Sequence, residues 1–147
     1  MTSLQFALGL SVAAPFAMAL LTGLLLLARR QWLSEPAVYR ASNFGLLLSL
    51  AGSAAVIFIR GFGEPPLDVS FGDWIRIGDY EIPALLYVDN VAQVFSLLGA
   101  ILTLLVARFS QTYLHKEAGY QRFFVLLGFF ASGTQLVAFA GALDVFF

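Results

Sequence analysis

Asp89 is the residue of this chain best placed to do chemistry. It follows Tyr87 and Val88 and heads a run without charge, Asn90 to Ala107. A carboxylate there has two uses. It can cap a helix and interact with the positive end of its dipole, or it can admit a proton or cation at a membrane boundary, where ionisable groups are functional candidates by default. Gln135, beside Thr134 and Ser132, forms the strongest polar cluster within the charge-free run Phe123 to Leu143, and Gln93 lies nearer the edge of its own run. Amides in such runs join helices, an interaction of roughly 0.5 to 2 kcal/mol. They can also line a water-filled proton wire, although neither amide nor hydroxyl titrates near neutrality. Asp144 is a further acid at the far end of the last run.

The chain has no cysteine and one histidine, His115, set between Leu114 and Lys116 in a connection. A thiol relay, a Cys-ligated iron–sulfur cluster, a zinc-thiolate site and a bis-histidine haem within one copy are therefore excluded. No metal and no cofactor is expected, and the chain lacks the cysteine, histidine pair and buried carboxylate dyad from which most acid–base and nucleophilic centres are built. If the chain serves an oxidoreductase, it does so as an accessory to it. A formal net charge of −1 gives no reason to expect a nucleic-acid partner.

The elements that must position these residues are set by four charge-free stretches: Met1 to Ala28, Ala41 to Ile59, Asn90 to Ala107 and Phe123 to Leu143. A helix needs about 20 apolar residues to cross a hydrocarbon layer, and a segment in lipid must satisfy its own backbone hydrogen bonds. With 60% hydrophobic and 12% charged residues and a mean hydropathy of +0.86, the composition is far from that of a soluble domain. The chain reads as one all-α polytopic membrane domain, residues 1–147, with about four transmembrane helices over 4–28, 41–60, 86–108 and 121–144. The first apolar run is expected to be retained, because no basic residue precedes it and Arg29 and Arg30 follow it.

The connections differ in sign. The first, Arg29 to Arg40, and the third, Arg108 to Arg122, are basic; the second, Arg60 to Asp89, carries six acids against two arginines. Basic loops stay cytoplasmic, so both termini and the second connection are expected outside, in a bacterial inner membrane. Within that connection, Trp74 to Ile77 and Tyr80 to Ile82 read as strands around Gly78-Asp79, a favoured hairpin turn. The hairpin, over about 69–85, must pack on the helix ends or on a neighbouring subunit, since an isolated one is marginal in water. Gly45, Ser49, Gly52 and Ser53, and Gly128 with Ser132, have the spacing of close helix contacts. No ionisable residue lies at the centre of any run, so a small multidrug exporter, which needs a central carboxylate, is not indicated.

From Trp74 onward the chain resembles the antiporter-like proton-conducting subunits: chain L of complex I or mitochondrial subunit 5, the Mrp-type antiporter subunit, and the membrane partner of an inorganic-carbon uptake system. The likeness rests on strand-like sequence before Tyr87-Val88-Asp89, on Arg108-Phe109-Ser110-Gln111-Thr112-Tyr113-Leu114, and on Gly119-Tyr120-Gln121-Arg122-Phe123-Phe124. It singles out Tyr113, Arg122, Phe123 and Phe124 as motif positions. It implies the amino-terminal part, or a split or truncated form, of a subunit that supports proton or cation conduction beside other membrane subunits in the lipid bilayer. The alternative is a structural or assembly subunit without a transport role. Where the family carries an asparagine near the outer end of the fourth helix, this chain has Ala140 to Asp144. The family's membrane glutamate and lysines fall beyond Phe147.

Overall fold

The structure is a computed structural model that describes residues 2–28, 34–77 and 80–140, without the side chains of 73–84. Four helices, α1 (Ser3–Ala28), α2 (Glu35–Arg60), α3 (Asn90–Tyr113) and α4 (Tyr120–Ala138), are joined between α2 and α3 by strands β1 (Leu67–Ile77) and β2 (Tyr80–Val88). Successive helices run antiparallel. Gly45 lies against Met18 and Ala14 while Gly52 lies against Ser11 and Ala7, and Gly128 meets Ala19 and Pro15 of α1. These contacts close a four-helix up-and-down bundle in which α1 touches both α2 and α4.

On α3 the face that packs is small and polar, and the face left outside is large and apolar. On α3 the buried residues are Ala92, Gln93, Ser96, Ala100, Thr103 and Ala107, at helical spacing along one side. Phe95, Leu98, Ile101, Leu102, Leu105 and Phe109 of the same helix are exposed. Water would not tolerate such a surface; lipid does, and in lipid it is small residues that let helices approach. Three helices, α1, α2 and α3, are long and apolar enough to cross a membrane, with α4 packed among them. This is a multi-pass membrane fold with a two-stranded hairpin between its second and third helices.

Closest packing falls at two glycines. A Cβ at Gly52 would lie 2.7 Å from the backbone nitrogen of Ser11 and 2.8 Å from the Ala7 carbonyl oxygen, and one at Gly128 would lie 2.7 Å from Ala19 Cβ. Pro15, inside α1, is buried at the second of these crossings.

Helix ends differ from those expected. The second helix begins at Glu35 rather than 41 and the third runs to Tyr113 rather than 108. Charge-free windows mark the part of a helix that lipid must cover, whereas its end turns continue among headgroups, where Glu35, Arg40 and Arg108 cost little. Glu35 suits a first turn electrostatically, and Pro36 is pre-set for it. The third helix starts at Asn90, not 86, because Leu85 to Val88 pair with Leu67 to Ser70. The fourth ends at Ala138 rather than 144: the Tyr87 N–H donates to the Phe139 carbonyl at 2.8 Å and Ala140 bridges to Leu86.

The hairpin is longer than the sequence suggested and includes Pro83, opposite Asp73 at a register irregularity. Gly72 takes φ 103° at that irregularity, a conformation costly for other residues. The Gly78-Asp79 turn lies outside the described residues. The hairpin packs on its own helices. Val69, Leu86 and Val88 join Ala7, Leu8, Val56, Ala92 and Phe139 in one apolar cluster. Gln5 Nε2 donates to the Ser70 carbonyl at 3.0 Å. The Arg60 guanidinium, at the end of α2, donates to the carbonyls of Val88 and Pro65.

Candidate functional site: a polar seam through the bundle

A second apolar cluster, containing Val38, Tyr39, Leu46, Ala107, Tyr120, Phe124 and Leu127, fills the opposite end. Between the two clusters the buried side chains turn polar. Gln135 is 1% exposed; its Nε2 donates to the Ser96 carbonyl at 3.0 Å, and its Oε1 accepts from Ser96 Oγ at 2.6 Å. Ser96 Oγ also lies 2.8 Å from Ser53 Oγ, which is 3.0 Å from the Ser49 carbonyl and 3.5 Å from Gln135 Oε1. Ser49 Oγ donates to the Ser11 carbonyl at 2.6 Å, and Ser132 Oγ to that of Val12 at 2.8 Å. The seam thus takes a hydroxyl or amide from α2, α3 and α4 and backbone carbonyls from α1.

Each serine has one proton and two lone pairs. Ser53 has three acceptors within reach and Ser96 has two, so the hydroxyl protons have more than one consistent arrangement. Such a chain can reverse direction by rotating O–H bonds alone. Among the described residues every buried polar side chain is uncharged, so the seam can orient and relay hydrogen bonds but cannot itself store a proton.

Gln93 extends the seam towards the hairpin. It is 1% exposed, and neither its Nε2 nor its Oε1 has a hydrogen-bond partner. One turn earlier stands Asp89, which is the N-cap of α3 and accepts from the Ala92 N–H at 2.6 Å. Asp89, Gln93 and Ser96 therefore lie along one side of α3 over about 10 Å. Asp89 also lines a crevice of about 370 Å³ between the start of α3 and the end of α4, with Tyr87, Phe95, Thr134 and Val137.

The sequence candidates are brought together unevenly. Gln135 and Gln93 share the seam, and Asp89 stands at its hairpin end. Asp144 lies outside the described residues. The motif positions cluster at the other end: Tyr113 closes α3 and is 86% exposed, Arg122 is exposed in the first turn of α4, and Phe124 is buried, its ring 4.8 to 5.7 Å from those of Tyr120, Phe123 and Tyr39. There the two basic connections are tied by Glu35, which accepts from the Lys116 N–H at 3.2 Å and pairs with His115 Nδ1 at 2.8 Å. Ser96 and Ser11 were not singled out in the sequence. Ser96 was within reach, standing three residues after Gln93 and seven after Asp89; Ser11 was not, because a lone serine in an apolar helix has no signature.

The outward apolar faces, the inward polar seam and the hairpin lid define a multi-pass helical membrane protein. Residues 74–124, which run from within β1 through β2 and α3 into the first turns of α4, match the family described as the N-terminus of chain 5 of NADH-ubiquinone oxidoreductase, complex I. Two similar proteins are named NADH-ubiquinone oxidoreductase chain 5, from Candida parapsilosis and from Candida albicans (strain SC5314 / ATCC MYA-2876); each is 32% identical over 68 residues. Those residues are 46% of this chain and 12% of either relative, so the alignment spans only a small part of their length. The three motif segments read in the sequence fall within the matched stretch.

Proposed function

We propose that this chain is the amino-terminal wall of a complex I chain 5-type subunit and supports proton conduction through its polar seam. The observation that carries the reading is the coincidence of the matched stretch, residues 74–124, with the hairpin, the Asp89-capped helix and the loop that position Gln93 and Ser96. In this reading the hairpin, the start of α1 and the end of α4 face outward and the basic connections face the cytoplasm, following the charge bias of the loops. Asp89 exchanges protons with the outer solution at the hairpin end of the bundle. The Gln93 amide takes up water, which links Asp89 to the hydroxyls of Ser96 and Ser53, and Gln135 holds that hydroxyl pair in place. Proton storage belongs to ionisable groups of partner membrane subunits or of further family helices, and Asp144 is a candidate acid on the outer side.

The test is proton flux in proteoliposomes containing the intact complex. Asp89→Asn keeps a good N-cap while deleting the charge, and Ser96→Ala removes the relay hydroxyl. Flux reduced several-fold by both, with assembly and thermal midpoint retained, is the expected outcome. Unchanged flux in both variants assigns the chain to the second reading, a structural subunit. That reading draws on the ordinary capping role of Asp89 and on the uncharged interior. A role in inorganic-carbon uptake would require a partner that hydrates carbon dioxide, and co-purification of the intact complex distinguishes it from assembly with redox subunits.

A further inference from the structure

Helices α1 and α4 pack most closely where Gly128 meets Ala19 and Pro15. At Gly23, one turn beyond Ala19 along α1, a Cβ would stand 3.4 Å from the Val125 side chain and meet no backbone of α4 within 4 Å. Beside it a wedge of about 540 Å³ between α1 and α4 is lined by Leu20, Leu24, Leu27, Val125, Leu126 and Phe129, together with Arg122. Arg122 is exposed and has no acidic partner among the described residues. It stands in the first turn of α4, where the helix dipole adds to its positive potential.

We propose that this wedge is a binding site for an anionic phospholipid, with an acyl chain between α1 and α4 and the phosphate on Arg122. The lining is apolar apart from Gln121 and Arg122, which suits a hydrocarbon chain with a polar head. The charge decides the headgroup. A guanidinium forms paired hydrogen bonds to phosphate, basic pockets between membrane helices select anionic headgroups, and the cationic amine of a zwitterionic lipid is repelled by the same field. The site depends on the membrane reading alone and is independent of conduction.

Native mass spectrometry of the full chain released from mixed phosphatidylglycerol–phosphatidylcholine micelles tests it. Phosphatidylglycerol is expected to be retained at least fivefold over phosphatidylcholine, Arg122→Gln to abolish that preference, and Arg122→Lys to restore part of it. Leu24→Trp, which fills the wedge, is expected to lower retention of both lipids, while Arg108→Gln, away from the wedge, leaves the preference intact. Equal retention of the two lipids by the unaltered chain overturns the proposal, and this comparison needs no variant to fold. Quantitative cross-linking of Leu24→Cys to a helix of another subunit in the intact complex overturns it too.

Discussion

At the residue scale, the two glutamines on one seam have opposite standing. Gln135 makes two good hydrogen bonds with Ser96, while Gln93 makes none. Removing one member of a bonded pair leaves the other unsatisfied, whereas removing Gln93 leaves no protein group without its partner. Gln135→Leu is therefore expected to cost about 1–2 kcal/mol of stability, and Gln93→Leu to be neutral or stabilising, by differential scanning calorimetry in detergent. If Gln93→Leu also lowers proton flux while raising stability, the amide is kept for function at the expense of the fold. Asp89→Ala should cost about 0.5–2 kcal/mol through the lost cap and Asp89→Asn much less. Both glutamines and Asp89 were legible as candidates because polar atoms stand out in apolar runs. Their pairing was not, since which serine faces an amide depends on rotations of neighbouring helices that no single helix encodes.

At the element scale, the close crossings rest on absent side chains. Gly52→Ala places a methyl against the backbone of α1, where nothing flexible can yield. Overpacking of this kind costs about 1–3 kcal/mol, and a fall in thermal midpoint with separation of the α1–α2 pair, read by spin-label distances, is the outcome expected. A similar substitution at Gly133, which has nothing within 4 Å, should have little effect. The helices were legible because lipid imposes a length on every crossing. Their ends were less so: Glu35 and Arg108 lie inside helices although they fall outside the charge-free runs, and Leu85 to Val88 is apolar enough to read as helix but is held as strand by Leu67 to Ser70. Pairing partners 15 to 21 residues apart leave no local trace.

At the scale of the whole molecule, the bundle has unlike ends. One is closed by the hairpin, tied to α1 through Gln5, to α2 through Arg60 and to α4 through Phe139. The other is closed by aromatic packing around Phe124 and by the Glu35–His115 pair. That pair is solvent-exposed on the histidine side, and such pairs contribute little; Arg60, by contrast, satisfies buried or tethered carbonyls. Arg60→Gln is accordingly expected to raise amide exchange across Leu67–Ser70 and Leu85–Val88 by tenfold or more, leaving α3 and α4 protected. Equal loosening of all elements would show instead that the hairpin and bundle open as one unit. The hydrogen bond from Tyr87 to Phe139 also imposes an order on biogenesis. The strand that opens the third crossing acquires its last partner only after the fourth has been synthesised and inserted, so on the ribosome the lid must wait, unlatched, for some fifty residues of nascent chain.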